Sequence, residues 1–107
     1  MIYLASPYSH PSRIVMEHRY QTAMKVTATL MREGLHVFSP IVHCHVIAHT
    51  FEMPKDFKFW QYYNEHMISL SEALYVLRMP EWDKSAGVTG EIEIASKLEI
   101  PVHYIDE

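Results

Sequence analysis

Ala73-Leu74-Tyr75-Val76-Leu77, followed by Arg78-Met79-Pro80, is a fully apolar run of strand length closed by a proline. What lies after it decides the fold. Trp82 to Gly90 reads as a loop with two of the three glycines. Glu91 to Leu98 carries Ile92, Ala95 and Leu98 at helical spacing, and Ile100 to Ile105 supplies another strand. A strand that rejoins its sheet after a helix pairs in parallel, through a right-handed crossover.

The same alternation runs upstream. Ile2 to Ala5 is a short apolar run stopped by Ser6-Pro7, as expected of a buried first strand. Pro11 and Ser12 open a segment in which Met16, Tyr20, Ala23, Met24, Thr27, Leu30 and Met31 recur at three- and four-residue steps. Glu17, Arg19, Lys25 and Arg32 lie on the other side. Gly34 stands where a left-handed helix end is wanted, and Leu35 to Phe38 is extended and apolar up to Ser39-Pro40. Ile41 to Thr50 is loosely helical, and Phe51 to Lys55 reads as a loop around Pro54. Asp56 is placed to cap a helix from Phe57 to about Ser71, with Phe59, Trp60, Tyr63, Met67 and Leu70 on one broad apolar face.

The expected fold is therefore α/β. It is a single three-layer, doubly wound parallel sheet, flavodoxin-like or Rossmann-like, with about four strands and helices on both faces. A length of 107 residues suits one domain over 1–107. In such sheets ligands sit beyond the carboxyl ends of the strands where the strand order reverses. The loops in question are Ser6 to His10 and Pro80 to Gly90.

Composition narrows the partners. Hydrophobic residues at 49% and charged residues at 21% describe a chain able to bury a core. A net charge of −4 without any Lys/Arg run argues against polymeric nucleic acid and against an anionic membrane surface. A lone Cys44 forms no internal disulfide, no apolar run reaches the roughly 18 residues that span a bilayer, and Ser6-Pro7 comes too early for a signal segment. A cytoplasmic protein is expected.

Trp82-Asp83-Lys84-Ser85-Ala86-Gly87-Val88-Thr89-Gly90-Glu91 holds the chemistry. Two glycines and a serine leading into a helix expose backbone N–H groups at the positive end of the helix dipole, where anions bind. Glu91, read as lying in the first turn, feels the same field and is expected to stay ionised, as suits a nucleophile or a stabiliser of positive charge on a sugar ring. A glutamate at a helix start also serves simply to compensate the dipole.

These residues carry a resemblance. Tyr3 in the first strand, Asn64 in the helix from Phe57, and Ser85-x-Gly87-x-x-x-Glu91 followed by Ile92-x-x-Ala95 resemble the nucleoside 2-deoxyribosyltransferase superfamily, which includes deoxynucleoside 5′-monophosphate N-glycosidases. More narrowly, Ala5-Ser6-Pro7-Tyr8-Ser9-His10-Pro11, Phe38-Ser39-Pro40-Ile41, Phe59-Trp60 and Trp82 to Val88 resemble a set of short bacterial and phage proteins of that superfamily. The resemblance covers almost the whole chain. It implies that Glu91 is the catalytic carboxylate attacking the anomeric carbon and that the Tyr3 hydroxyl positions it. Ser85 and Gly87 would receive the 5′-phosphate, with further donors from Ser6, Tyr8 and Ser9. Asn64 departs from the pattern, because relatives place an aspartate there to handle the proton of the leaving base and an amide cannot protonate anything. Glu65, His66 or a substrate-bound water are the alternatives for that proton.

Other clusters are read more plainly. His45 and His49 share a helix face, but the spacing in His43-Cys44-His45-Val46-Ile47-Ala48-His49 matches no structural zinc site, so the expectation is pocket-lining or exposed histidines and no metal. The aromatics Phe57, Phe59, Trp60, Tyr62 and Tyr63 are expected in the core and at a subunit interface more than against a base. Arg13 and Arg19 are expected on a solvated face. Neither a GxGxxG turn nor a P-loop lysine is present, so no organic cofactor is expected. The resulting expectation is an enzyme acting on a small-molecule nucleoside or nucleotide, as hydrolase or deoxyribosyltransferase, working as a homodimer or higher homo-oligomer. The competing expectation is a non-catalytic nucleotide- or nucleotide-sugar-binding module.

Overall fold

A computed structural model describes residues 1–107. The strands β1 (Ile2–Ala5), β2 (Val37–Phe38), β3 (Ala73–Leu77) and β4 (Val102–Ile105) alternate with helices α1 (Arg13–Arg32), α2 (Pro40–Thr50), α3 (Phe57–Ser69) and α4 (Ala86–Lys97). All pairs are parallel and the sheet order is β2-β1-β3-β4. The α/β class and the doubly wound, flavodoxin-like architecture are as expected. Strand order reverses between β1 and β3, where Ile2 pairs Ala73 and Ala5 pairs Val76.

Two apolar layers hold the sheet, and the period of two along the strands sorts residues between them. Tyr3, Ala5, Leu74 and Val76 pack with Ile68 of α3 and with Val88 and Ala95 of α4. Leu4 and Leu77 face the other way, with Leu30 of α1 and Met79. Central β1 is buried throughout, whereas β4 is an edge with His103 and Tyr104 exposed.

Serine hydroxyls start three of the helices. Ser12, Ser39 and Ser85 accept from the amides of Val15, Val42 and Val88, each satisfying a donor that the helix start leaves free. Asp56 precedes α3 in extended conformation but makes no side-chain cap. Gly34 closes α1 with φ +91°, a conformation that costs a side-chain-bearing residue, and Leu35 then bonds back to the Leu30 carbonyl.

Several local expectations need correction. The segment read as a loop from Trp82 to Gly90 holds a 3-10 turn, Trp82–Lys84, and then the first five residues of α4. Glu91 is thus the sixth residue of the helix, in its second turn. The glycines do not prevent the helix because Ser85 caps it, Val88 is buried, and Gly90 lets the Phe57 ring lie against the backbone where a Cβ would collide. On α1 the buried stripe is Arg19, Thr22, Ala23, Thr27 and Leu30, with Met24 and Met31 outside it. On α3 the buried positions are Asn64 and Ile68, while Phe59, Tyr63 and Leu70 are exposed. The strands expected over 35–38 and 100–105 shorten to Val37–Phe38 and Val102–Ile105. No helix is long and apolar enough to cross a membrane.

Because no atom stands within 4 Å of a Cβ built at Gly34, Gly34→Ala tests backbone conformation alone. It is expected to destabilise the fold by about 1–2 kcal/mol, read as a lower urea midpoint with an unchanged slope.

Candidate functional site

The loops that leave β1 and β3 at the reversal of strand order enclose a cavity of about 350 Å³. From the β1 side come Ser6, Tyr8, Ser9 and His10. Glu81, Lys84 and Ser85 come from the β3 side, and Ala86, Gly87 and Glu91 from α4. Helices α2 and α3 add Ile41, Cys44 and His45, then Phe57, Trp60 and Asn64. Of the residues expected at a site, Ser6, Tyr8, Ser9, Asn64, Ser85, Gly87 and Glu91 thus share one cavity. Tyr3 stands behind it, fully buried, and its hydroxyl donates to Glu91 Oε2.

The state of Glu91 differs from expectation. The dipole field weakens beyond the first turn, and at the sixth helical residue, 4% exposed, desolvation outweighs it. Burial pushes the carboxyl up to about 8, and the Tyr3 hydrogen bond offsets only part of that rise. Tyr3 in turn is driven well above its ordinary value, first by burial and then by the Glu91 charge and hydrogen bond, so it remains the donor.

The start of α4 gives the cavity an edge of free backbone donors. The amides of Ala86 and Gly87 precede the first i→i−4 bond of the helix. Ser85 Oγ accepts from the Val88 amide and keeps its own hydrogen to donate. Lys84 stands beside them on the cavity wall.

Two buried polar atoms of the cavity lining have no hydrogen-bond partner within the protein: Ser6 Oγ and Asn64 Oδ1. Leaving such atoms unpaired costs about 1–3 kcal/mol each, so these two positions are kept polar against the preference of a buried site.

Arg19 is the residue whose place the sequence pattern missed. It is buried, and its guanidinium donates to the carbonyls of Tyr8 (3.4 Å) and Ser9 (3.0 Å) and pairs with Glu81 at 3.6 Å. It therefore ties the β1 loop to the β3 loop. Its spacing to Ala23, Thr27 and Leu30 is the one signal that would have found it. Arg13 is exposed, as expected. Glu81 itself holds a left-handed backbone at φ 68°, a conformation that non-glycine residues adopt at some cost.

Tyr8 and the histidines form a network of their own. Tyr8 Oη lies 2.6 Å from His45 Nδ1 and 3.0 Å from His49 Nε2, and His45 Nε2 lies 2.7 Å from Glu17 Oε2. The Tyr20 ring stacks on the buried His45 at 4.2 Å. His43 is exposed, and no three His, Cys, Asp or Glu side chains are grouped to hold a metal ion. Glu65 and His66 are exposed on α3, away from the cavity lining. The aromatic group divides: Phe57 and Trp60 line the cavity, while Phe59, Tyr62 and Tyr63 lie largely in solvent.

One family model, described as a domain of unknown function (DUF1937), matches residues 1–107. No curated protein matches the chain.

The raised Glu91 has a consequence for stability. Its folded pKa lies above its ordinary 4.5, so the native state binds the proton more tightly than the unfolded chain. The associated stability is complete below pH 4.5 and is lost as pH rises through about 8. Glu91→Gln keeps an acceptor for Tyr3 but cannot ionise. It should be more stable than the native chain by a few kcal/mol at about pH 9 and close to it at about pH 5, as measured by urea titration at the two values.

Proposed function

The chain belongs to the DUF1937 family, and we propose that it cleaves the N-glycosidic bond of a (2′-deoxy)nucleoside 5′-monophosphate, with Glu91 as nucleophile. The observation that carries this reading is a carboxyl group buried beside a cavity, hydrogen-bonded by a buried tyrosine and standing one helical turn from a helix start with free backbone donors. A buried acid of raised pKa destabilises the folded chain, and such groups concentrate at reactive sites.

The residues divide the substrate among them. Ser85, the amides of Ala86 and Gly87, and Lys84 receive the phosphate, to which a hydroxyl and backbone N–H groups donate charge-assisted hydrogen bonds. Phe57 and Trp60 offer flat apolar surface to the base. Asn64 Oδ1 and Ser6 Oγ, which have no protein partner, accept or exchange hydrogen bonds with base and sugar. Glu91 attacks the anomeric carbon, the C–N bond breaks, and its electron pair leaves with the base. Water then hydrolyses the glycosyl ester, or a second base takes the sugar if it reaches the site first. Tyr3 holds the attacking carboxylate in place through Oε2. The exposed Phe59, Tyr62 and Tyr63 provide an apolar face for a second copy of the chain, which sedimentation velocity tests directly.

Asn64 favours a second reading, a nucleotide-binding module without turnover, since an amide reads a base but cannot protonate it.

One experiment separates the two. The purified chain, incubated with ribo- and deoxynucleoside monophosphates, should release free base detectable by chromatography, and Glu91→Gln should lower the rate by at least ~10³-fold. Binding without release would support the module instead. Because the attacking form is the carboxylate, kcat/KM should fall as pH drops below about 8.

A further inference from the structure

Asn64 leaves the departing base without a proton donor from α3, and the cavity contains another group that suits the task. In the network around Tyr8, the direction of each hydrogen bond follows from chemistry. Glu17 is held below the ordinary carboxylate range by hydrogen bonds from Gln21 and His45, so it accepts, and His45 Nε2 must carry hydrogen. His45 Nδ1 then faces the Tyr8 oxygen. His49 is held below its ordinary value, chiefly by burial and next by the His45 charge. Its Nε2 lies within hydrogen-bond distance of the same oxygen.

We propose that Tyr8 is the catalytic acid and base of the glycosidic reaction, with His45 as the positioning residue that refills and drains its proton and Glu17 as the one that fixes the His45 ring. The assignment rests on the reading of the cavity as an N-glycosidase site. It stands on geometry: a phenol on the cavity wall, a buried imidazole 2.6 Å behind it, and a largely solvent-exposed carboxylate 2.7 Å behind that. The chain of contacts runs from the cavity to an exposed carboxylate, which holds the His45 Nε2 hydrogen while Nδ1 exchanges with Tyr8.

When His45 carries hydrogen on both ring nitrogens, its Nδ1–H donates to Tyr8 Oη and the phenolic hydrogen is free to face the cavity. As Glu91 attacks and the C–N electron pair moves onto the base, the Tyr8 hydrogen passes to the departing nitrogen. The Nδ1 hydrogen of His45 moves onto Tyr8. His45 is left neutral, with its Nε2–H still on Glu17. In the second half the attacking water gives its proton to Tyr8, whose own hydrogen returns to His45 Nδ1. The cycle closes with no net change in the relay. A relay is needed because burial, followed by the charge of Glu17, pushes Tyr8 up to about 12. A phenol that high gives up its proton more readily when another arrives at the same time.

The test uses two substrates on the intact chain: a natural deoxynucleoside 5′-monophosphate, whose base leaves poorly, and 4-nitrophenyl 2-deoxyriboside 5-phosphate, whose leaving group needs no proton. Tyr8→Phe should lower kcat on the natural substrate by ~10²–10⁴-fold and change kcat on the nitrophenyl substrate by less than about threefold. Glu17→Gln, on a side chain 53% exposed whose loss does not threaten folding, should show a smaller loss with the same substrate dependence. Equal losses on both substrates, or none on either, would overturn the assignment while leaving Glu91 in place. Absence of turnover by the native chain on both substrates would end the reading of the cavity and this assignment together.

Discussion

The hydrogen bond from Tyr3 to Glu91 is the constraint around which the site is arranged. Tyr3 is buried on the central strand and Glu91 on the helix packed over it, and the two are 88 residues apart in the chain. Burying a carboxylate is expensive, and a single phenol offsets only part of the penalty. The carboxyl is therefore left with a proton up to about 8. A fold chosen for stability alone would place an apolar residue there, as it does at Val88 and Ala95 one turn away on either side. Retention of an acid at that point is a local rule broken at a cost, as functional sites commonly are.

Around this pair the cavity has two chemically different walls. The start of α4 offers the Ser85 hydroxyl, two free amides and Lys84. The β1 loop and α2 bring Tyr8 and His45 to the cavity, with His49 within hydrogen-bond distance of the Tyr8 hydroxyl. Arg19 ties the walls by bonding the β1 loop and the β3 loop at once. A guanidinium serves here because its fixed fork of donors reaches carbonyls and a carboxylate together. Between the walls, Ser6 and Asn64 contribute the two polar atoms that the protein itself leaves unpaired.

Much of the fold was legible before the structure. The apolar runs at 2–5 and 73–77 have the observed strand limits, and Ser12 and Gly34 bracket α1 as their local chemistry requires. The failures share a cause. Ala86-Gly87-Val88-Thr89-Gly90 has poor helix propensity, yet it is helical because Val88 is anchored in the core and the Phe57 ring occupies the space above Gly90. On α3 the aromatic stripe looked like the buried face, but the sheet takes Ile68 and the cavity takes Asn64. Arg19 looked like a surface charge because its type suggests solvent, and only its loop partners explain its burial.

The sequence by itself determined the alternation of strands and helices, the parallel pairing and the strand ends that face the cavity, because these depend on local periodicity and on crossovers that the chain order dictates. It also singled out Tyr3, Ser85 and Glu91. Tertiary structure decided the protonation of Glu91, the tie made by Arg19 and the alignment of Glu17, His45 and Tyr8. Each of these depends on burial and on distances between side chains remote in sequence. No pattern read along one segment contains that information, since desolvation and a neighbouring charge act through space and not along the backbone.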